Sequence, residues 1–251
     1  MPARDKVVIV TGGAMGIGRH IARTFAQAGS RLAIADIAPL DNVVADVEKL
    51  GAEVLPMKTD VRDEEQVRSF MARVWMRYGH IDVLINNAGV VTHFQWGLPR
   101  WNRIRYMEKT FFDTVMGTNL GGTFLCTKHV LPYMEDQRSG HIINLGQGTV
   151  GSRARADSPG ACVYHVSKLA IRAFTQDVAA EEREFGICVV SMGPGGGGNG
   201  IATEEAPEWA RRRMHTVEEV GDRYVLAAEA PMDLTGQQII VKDGTPAIAP
   251  D

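Results

Sequence analysis

The sequence predicts an α/β protein of one domain, a doubly wound parallel sheet of about seven strands with helices on both faces. Three observations predict it. Short apolar runs alternate with helix-period patterns along the chain, the order that gives a parallel sheet covered on both sides. The first run, Val7–Val10, leads into the glycine-rich stretch Thr11–Gly18 and then into a helix-period face of Ile17, Ile21, Phe25 and Ala28. Polar residues, Asp36, Asp60 and Asn87, follow the ends of successive strands, where ligands bind on sheets of this kind.

The bulk numbers are consistent with that reading. A length of 251 residues fits one large α/β domain, taken here as 1–251, and 45% hydrophobic with 23% charged residues is ordinary globular composition. A net charge of −3 argues against a nucleic-acid binder held by bulk electrostatics. No apolar run approaches a membrane span, and no signal peptide precedes the first strand, so no membrane partner is expected. Cys126, Cys162 and Cys188 are odd in number and far apart, which suggests neither a disulfide framework nor a zinc site. The default setting is a reduced cytoplasm, with no metal.

The glycine turn is the first candidate site. Residues without Cβ let the backbone approach a phosphate, and N–H groups opening a helix favour an anion. Its candidate cofactor-binding positions are Gly12, Met15, Gly16, Ile17 and Gly18. The spacing, Gly-x3-Gly-x-Gly, differs from the common dinucleotide form, and a glycine turn without ligand is the competing reading of the loop alone. The helix closes at Gly29, and Arg31–Asp36 forms the second strand. In a βαβ dinucleotide unit an acidic residue at the place of Asp36 accepts hydrogen bonds from the adenosine ribose and repels a 2′-phosphate. No Lys or Arg lies in the loop and Ile37 follows Asp36, so NAD is favoured over NADP.

A helix over Asp41–Leu50 and a strand over Glu53–Lys58 follow, with Asp60-Val61 at the strand's end. Asp63 is a plausible N-cap for a helix through Tyr78, closed by Gly79, and Ile81–Ile85 is the fourth strand, ending in Asn86-Asn87-Ala88-Gly89.

Here the chain resembles the short-chain dehydrogenase/reductase family, on the Thr11–Gly18 loop, Asp36, Asp60-Val61 and Asn86–Gly89, in order and at family-like spacing. The resemblance implies a Rossmann fold, adenine contacts from Asp60 and Val61, and a cofactor border at Asn87, Ala88 and Gly89.

Residues 91–112 fit neither plain pattern and carry Phe94, Trp96, Trp101, Tyr106, Phe111 and Phe112 among arginines. They read either as a surface insertion packed on the core or as a pocket wall or subunit contact. A long helix is expected over Asp113–Tyr133. The family resemblance makes its Asn119 the holder of a proton-relaying water. A polar residue bending the helix at Gly121-Gly122 is the plainer reading. After the fifth strand, His141–Leu145, the family usually has Asn-aliphatic-Ser-Ser. This chain has Asn144-Leu145-Gly146-Gln147, so Gln147 stands in the place of the catalytic serine. Its amide could donate to a substrate oxygen. Thr149 or Ser152, in a connection longer than usual, could substitute.

Tyr164 and Lys168 lie four residues apart, on one face of a helix running to about Glu184. An ammonium beside a phenol favours the phenolate, which suits Tyr164 to proton transfer. The resemblance assigns Tyr164 as general acid/base and Lys168 as its partner and a ribose ligand. Cys162 reads as a packing residue. Past the sixth strand, Ile187–Ser191, the turn Gly193-Pro194-Gly195 matches the family's nicotinamide border, and Asn199 falls where a carboxamide-binding Thr is usual. Residues 195–200 are glycine-rich and expected to be mobile, with a short substrate lid over 195–215. A helix over Val217–Ala228 and a last strand over Leu234–Val241 complete the fold.

The reading is therefore an NAD-dependent oxidoreductase that interconverts a secondary alcohol and a ketone, the substrate hydrophobic or ring-bearing. Gln147 keeps two alternatives open: a non-catalytic NAD-binding sensor or assembly subunit, and a non-redox reaction such as epimerisation or dehydration. The resemblance also implies a homodimer or homotetramer built on helices 113–133 and 164–184.

Overall fold

The computed structural model describes residues 3–90, 103–146, 162–193 and 217–249. The elements are β1 (Val7–Thr11), α1 (Gly16–Gln27), β2 (Arg31–Asp36), α2 (Asp41–Lys49), β3 (Val54–Lys58), α3 (Glu64–Tyr78), β4 (Val83–Asn86), α4 (Lys109–Met116), α5 (Gly122–Gln137), β5 (Gly140–Leu145), α6 (Cys162–Glu182), β6 (Ile187–Met192), α7 (Val217–Ala227), β7 (Gln238–Lys242) and β8 (Thr245–Ile248).

They form one eight-stranded sheet in the order β3-β2-β1-β4-β5-β6-β7-β8. All neighbours pair in parallel except β7 and β8. The order reverses between β1 and β4, which opens a crevice at their carboxyl ends. An apolar layer lies on each face. One joins Phe25 of α1 and Tyr224 of α7 to Val8, Val10 and Val190. The other joins Phe70 and Met71 of α3 and Met134 of α5 to Val7, Ile9 and Val189. Alternate residues of β1 thus feed both layers, as a strand with period two buried on both sides must. Fully burying a side chain such as Phe25 contributes about 1.5–3 kcal/mol.

The capping expectations hold. Asp63 accepts from the Gln66 N–H at 3.1 Å, and Gly79 closes α3 in the left-handed region at φ 75°. Gly29, at φ 88°, follows the end of α1.

Four expectations need correction. The sheet has eight strands, not about seven. Asp243 and Gly244 sit at φ 49° and 75° and make a two-residue turn that folds β8 back antiparallel on β7. The helix expected over Asp113–Tyr133 starts at Lys109, passes through a π turn at Gly117–Gly121 and runs to Gln137. The strand expected over Leu234–Val241 begins at Gln238, because Met232–Leu234 forms a 3₁₀ turn and Gly236 turns the chain at φ 81°. Cys162 is exposed at the start of α6, since that helix's inward face runs through Val163, Ser167 and Ile171.

Expectations placed on 91–102, on the 147–161 connection with Gln147, Thr149 and Ser152, and on 194–216 with Pro194, Gly195, Asn199 and the lid lie outside the described residues.

Candidate functional site

The glycine turn is held closed from the β4 side. Asn87 Nδ2 donates to the Thr11 and Gly12 carbonyls at 2.8 and 2.9 Å. Thr11 Oγ1 accepts from the Asn87 and Ala88 N–H groups, each at 3.1 Å. Gly12, at φ 66°, has no room for a side chain: a Cβ would lie 2.7 Å from Ala88 Cα. A Cβ on Gly18 would run into the Gly12 carbonyl. These two glycines therefore let the start of α1 pack directly on the loop.

The acidic residue at the end of β2 is tied to the same loop. Asp36 accepts from the Ala14 N–H at 2.9 Å and from the Ala38 N–H at 3.0 Å. A carboxylate has acceptor sites beyond those two. The N-terminus of α1 opens at Met15 with no side-chain cap, so its amides are available to an anion. A glycine-rich turn, uncapped amides and an adjacent carboxylate fit a dinucleotide.

Asp60 and Val61 already have partners. Arg62 binds Asp60 through Nε at 2.9 Å and through a second guanidinium nitrogen at 2.5 Å, and holds its carboxyl below the usual range. Val61 is buried against Gly122, where a Cβ would meet its side chain at 2.6 Å.

At the other end of the crevice α6 presents Tyr164 and Lys168 on successive turns. Lys168 Nζ lies 5.8 Å from the centre of the Tyr164 ring and donates to the Leu145 carbonyl, the last of β5, at 2.8 Å. Burial pushes the ammonium down to about 8 and the phenol up to about 12. The expectation that the cation lowers the phenol's pKa is therefore not met in the protein alone. Desolvation dominates, and the ammonium is bonded to a carbonyl.

Asn119 is fully buried in the π turn and all its groups are engaged. Its Oδ1 accepts from the Val90 N–H at 2.8 Å. Its Nδ2 donates to the Val90 carbonyl at 3.3 Å and to Ser167 Oγ at 3.0 Å. Its carbonyl accepts from Thr123 Oγ1 at 2.7 Å. Ser167 in turn donates to the Tyr164 carbonyl at 2.7 Å. The side chain thus reaches Ser167, the neighbour of Lys168, and clamps Val90 to the first turns of α6. Gly89 makes room, since a Cβ there would lie 3.1 Å from Asn119 Oδ1. The helix does not break at Gly121-Gly122; both residues keep right-handed helical angles.

Of the aromatic segment, Phe111 is buried with Val115 against Val163 of α6. Tyr106 and Phe112 are exposed, with Arg105 stacked 4.5 Å from the Tyr106 ring centre. Sequence reasoning missed Thr11 and Ser167. Both are small hydroxyl residues beside a candidate site residue, and neither position shows from spacing alone that the hydroxyl will bridge two segments.

A family profile described as short chain dehydrogenase matches residues 6–210. The 3-oxoacyl-[acyl-carrier-protein] reductase FabG of Thermotoga maritima is 33% identical, over 97% of this chain and 99% of its own. Among solved structures, a variant of a Serratia marcescens short-chain dehydrogenase/reductase superposes with a TM-score of 0.80 at 26% identity, covering 97% of this chain and 99% of its own. A short-chain type dehydrogenase/reductase from Mycobacterium marinum gives 0.81 at 27% identity, covering 96% and 95%.

Proposed function

The chain belongs to the short-chain dehydrogenase/reductase family, and from that premise we propose that it is an NAD-dependent oxidoreductase interconverting a secondary alcohol and a ketone. The observation that carries the reading is the placement of Tyr164 and Lys168 on successive turns of α6, with Lys168 anchored on the carboxyl end of β5. The similarity to a 3-oxoacyl-[acyl-carrier-protein] reductase supports ketone reduction as one direction.

A bound nicotinamide cofactor supplies the hydride chemistry. The chain's own residues do the rest. In alcohol oxidation Tyr164 removes the hydroxyl proton; in ketone reduction its phenol donates it. Lys168 holds a positive charge beside that proton and would bind the cofactor's ribose. Asn119 fixes the helix turn that carries both. Gly12, Met15, Gly16, Ile17 and Gly18 would hold the pyrophosphate, Asp36 the adenosine ribose, and Asp60, beside its bond to Arg62, with Val61 the adenine edge. Ala88 and Gly89, together with Pro194, Gly195 and Asn199 outside the described residues, would border the nicotinamide half, as the family resemblance implies. The preference for NAD rests on Asp36 at the end of β2, where an acidic residue accepts from the ribose hydroxyls and repels a 2′-phosphate.

Gln147, in place of the family's serine, favours one rival: a protein that binds the cofactor without redox turnover, or runs a non-redox reaction on it. In the oxidoreductase its amide donates to the substrate oxygen.

The unpaired buried thiols Cys126 and Cys188 suit a reducing cytoplasm. Phe124 on α5 and Val166 and Leu169 on α6 are exposed apolar residues on the helices proposed to build a dimer or tetramer. Sedimentation showing a monomer at micromolar concentration would remove that part. Among the described residues no helix is long and apolar enough to cross a membrane.

The test is a screen of aromatic and alicyclic secondary alcohols and their ketones with NAD(H), comparing the protein with Tyr164→Phe. Turnover that Tyr164→Phe abolishes is expected. Equal turnover in the variant overturns the mechanism, and cofactor binding without turnover of any substrate moves the reading to the rival. A Gln147→Ser variant with a large gain in rate would mark the natural site as impaired.

A further inference from the structure

His80 lies in the short connection from α3 to β4, at the amino ends of the strands and opposite the cofactor crevice. Both of its ring nitrogens have partners. Nδ1 lies 3.1 Å from the Tyr78 carbonyl. Nε2 lies 3.2 Å from a guanidinium nitrogen of Arg31, the first residue of β2, and 3.1 Å from Asp82 Oδ2, just ahead of β4. Among the described residues no direct ion pair joins Arg31 to Asp82; the ring nitrogen faces a cation and an anion that do not meet each other.

A carbonyl only accepts, so Nδ1 carries a hydrogen. That fixes what Nε2 can do, because the bond made by one ring nitrogen sets the state of the other. In the neutral ring Nε2 is a lone pair, able to accept from Arg31 and unable to donate to Asp82. In the charged ring it is an N–H, able to donate to Asp82 and offering Arg31 no acceptor. One atom thus faces two partners, and each charge state of the ring satisfies one of them.

Both partners also hold the entry to β1. The guanidinium nitrogen that faces His80 donates to the Asp5 carbonyl at 2.9 Å, and the guanidinium lies 5.8 Å from the centre of the Tyr78 ring. Asp82 Oδ2 accepts from the Val7 N–H at 2.7 Å. The other charged or titratable groups around the cluster are engaged elsewhere: Lys6 with Glu229, Arg77 with Glu53, the Tyr78 hydroxyl with the Leu32 carbonyl, and the His141 ring with the Ala230 carbonyl. The Asp5 side chain is exposed.

We propose that His80 is a proton-driven latch that exchanges Arg31 for Asp82. Neutral, it ties the α3–β4 connection to the start of β2. Taking up one proton at Nε2, it releases Arg31 and ties itself to Asp82. Arg31 keeps its bond to Asp5, and Asp82 its bond from Val7, so the start of β1 stays held while the ring changes partner. The latch lies at the opposite end of the strands from Lys168 and does not depend on the proposed reaction.

Nitrogen-15 spectra of the imidazole rings in the full-length protein, recorded from about pH 9 to about pH 5, read the proton on each nitrogen, with His80 assigned through its own backbone resonances. The neutral ring is expected in the Nδ1–H form, and the charged ring with both nitrogens protonated. A neutral ring in the Nε2–H form overturns the proposal. Double-variant cycles read by Tm test the exchange of partners. His80→Gln with Asp82→Asn is expected to show coupling at about pH 5 that is lost at about pH 9, and His80→Gln with Arg31→Met the reverse. Coupling that is the same at both pH values for either pair overturns the exchange. Should a variant fail to fold, the tautomer of the unaltered protein decides.

Discussion

Lys168 and Leu145 are joined by a 2.8 Å hydrogen bond from the ammonium to the last carbonyl of β5, so the strand end fixes where the cation lies. Burial moves the lysine from an ordinary 10.5 down to about 8. Below pH 8 the folded protein keeps a desolvated charge. Between pH 8 and 10.5 the unfolded chain binds more protons than the folded one, so this group makes stability rise with pH across that window. Lys168→Met is expected to raise Tm at pH 7, to flatten that rise, and to lower turnover by at least about 100-fold. Thermal unfolding at pH 7 and pH 9, with one rate assay, checks all three. A lower Tm at pH 7 would show that the bond to Leu145 outweighs the burial cost.

Glu182, in the last turn of α6, is a buried carboxyl whose Oε2 has no partner among the described residues. Burial and the neighbouring Glu135, Glu181 and Glu184 raise its pKa. A raised carboxyl contributes its stability below the unfolded value of 4.5 and loses it as pH rises through the folded value. Glu182→Gln is therefore expected to match the parent in Tm at pH 4.5 and exceed it at pH 8. A constant difference at both pH values would remove the titration argument.

Asp36 carries two loads, the proposed ribose contact and the bond to Ala14 in the glycine turn. Asp36→Ala is expected to weaken NADH by about ten- to a hundredfold, the loss of charge-assisted hydrogen bonds. Tm should also fall, because the Ala14 N–H loses its acceptor. Fluorescence titration with NADH and NADPH reads the first effect. Tighter NADPH than NADH binding by the parent protein would sink the cofactor preference.

Asn119 can be replaced in two informative ways. Asn119→Ala strands the Val90 N–H and is expected to destabilise by about 1–3 kcal/mol. Asn119→Asp keeps the acceptor for Val90 but offers Ser167 a carboxylate, drawing its hydroxyl away from the Tyr164 carbonyl. The aspartate variant should keep more of the Tm than the alanine variant and still lose rate. Full activity in Asn119→Asp would show that the Ser167 bond does not position Tyr164.

Much of this was legible in the sequence, for identifiable reasons. Apolar runs, glycine caps and the Tyr164–Lys168 spacing obey local periodicities, so strands, helix ends and one shared helix face could be read directly. What stayed hidden depends on contacts between distant segments. Asn119 faces Val90 and Ser167 only because α4 and α5 join through a π turn. The direction of Lys168 depends on where β5 ends. The eighth strand was missed although Asp243-Gly244 is a hairpin signal, because Thr245–Ile248 is too short to show a pattern of its own.

The π turn at Gly117–Gly121 also bears on how this chain can change length. A π turn holds one residue more than the α-helical turn it replaces. Deleting a single residue there, Leu120 for example, would leave a regular helix rather than a broken one. It would also swing Lys109–Met116 by about 100° around the axis relative to Gly122–Gln137. Phe111 and Val115 would then turn away from Val163. The segment is thus a place where a shortened gene could encode a well-formed helix and a dismantled site, so intact folding would be no guide to the survival of function.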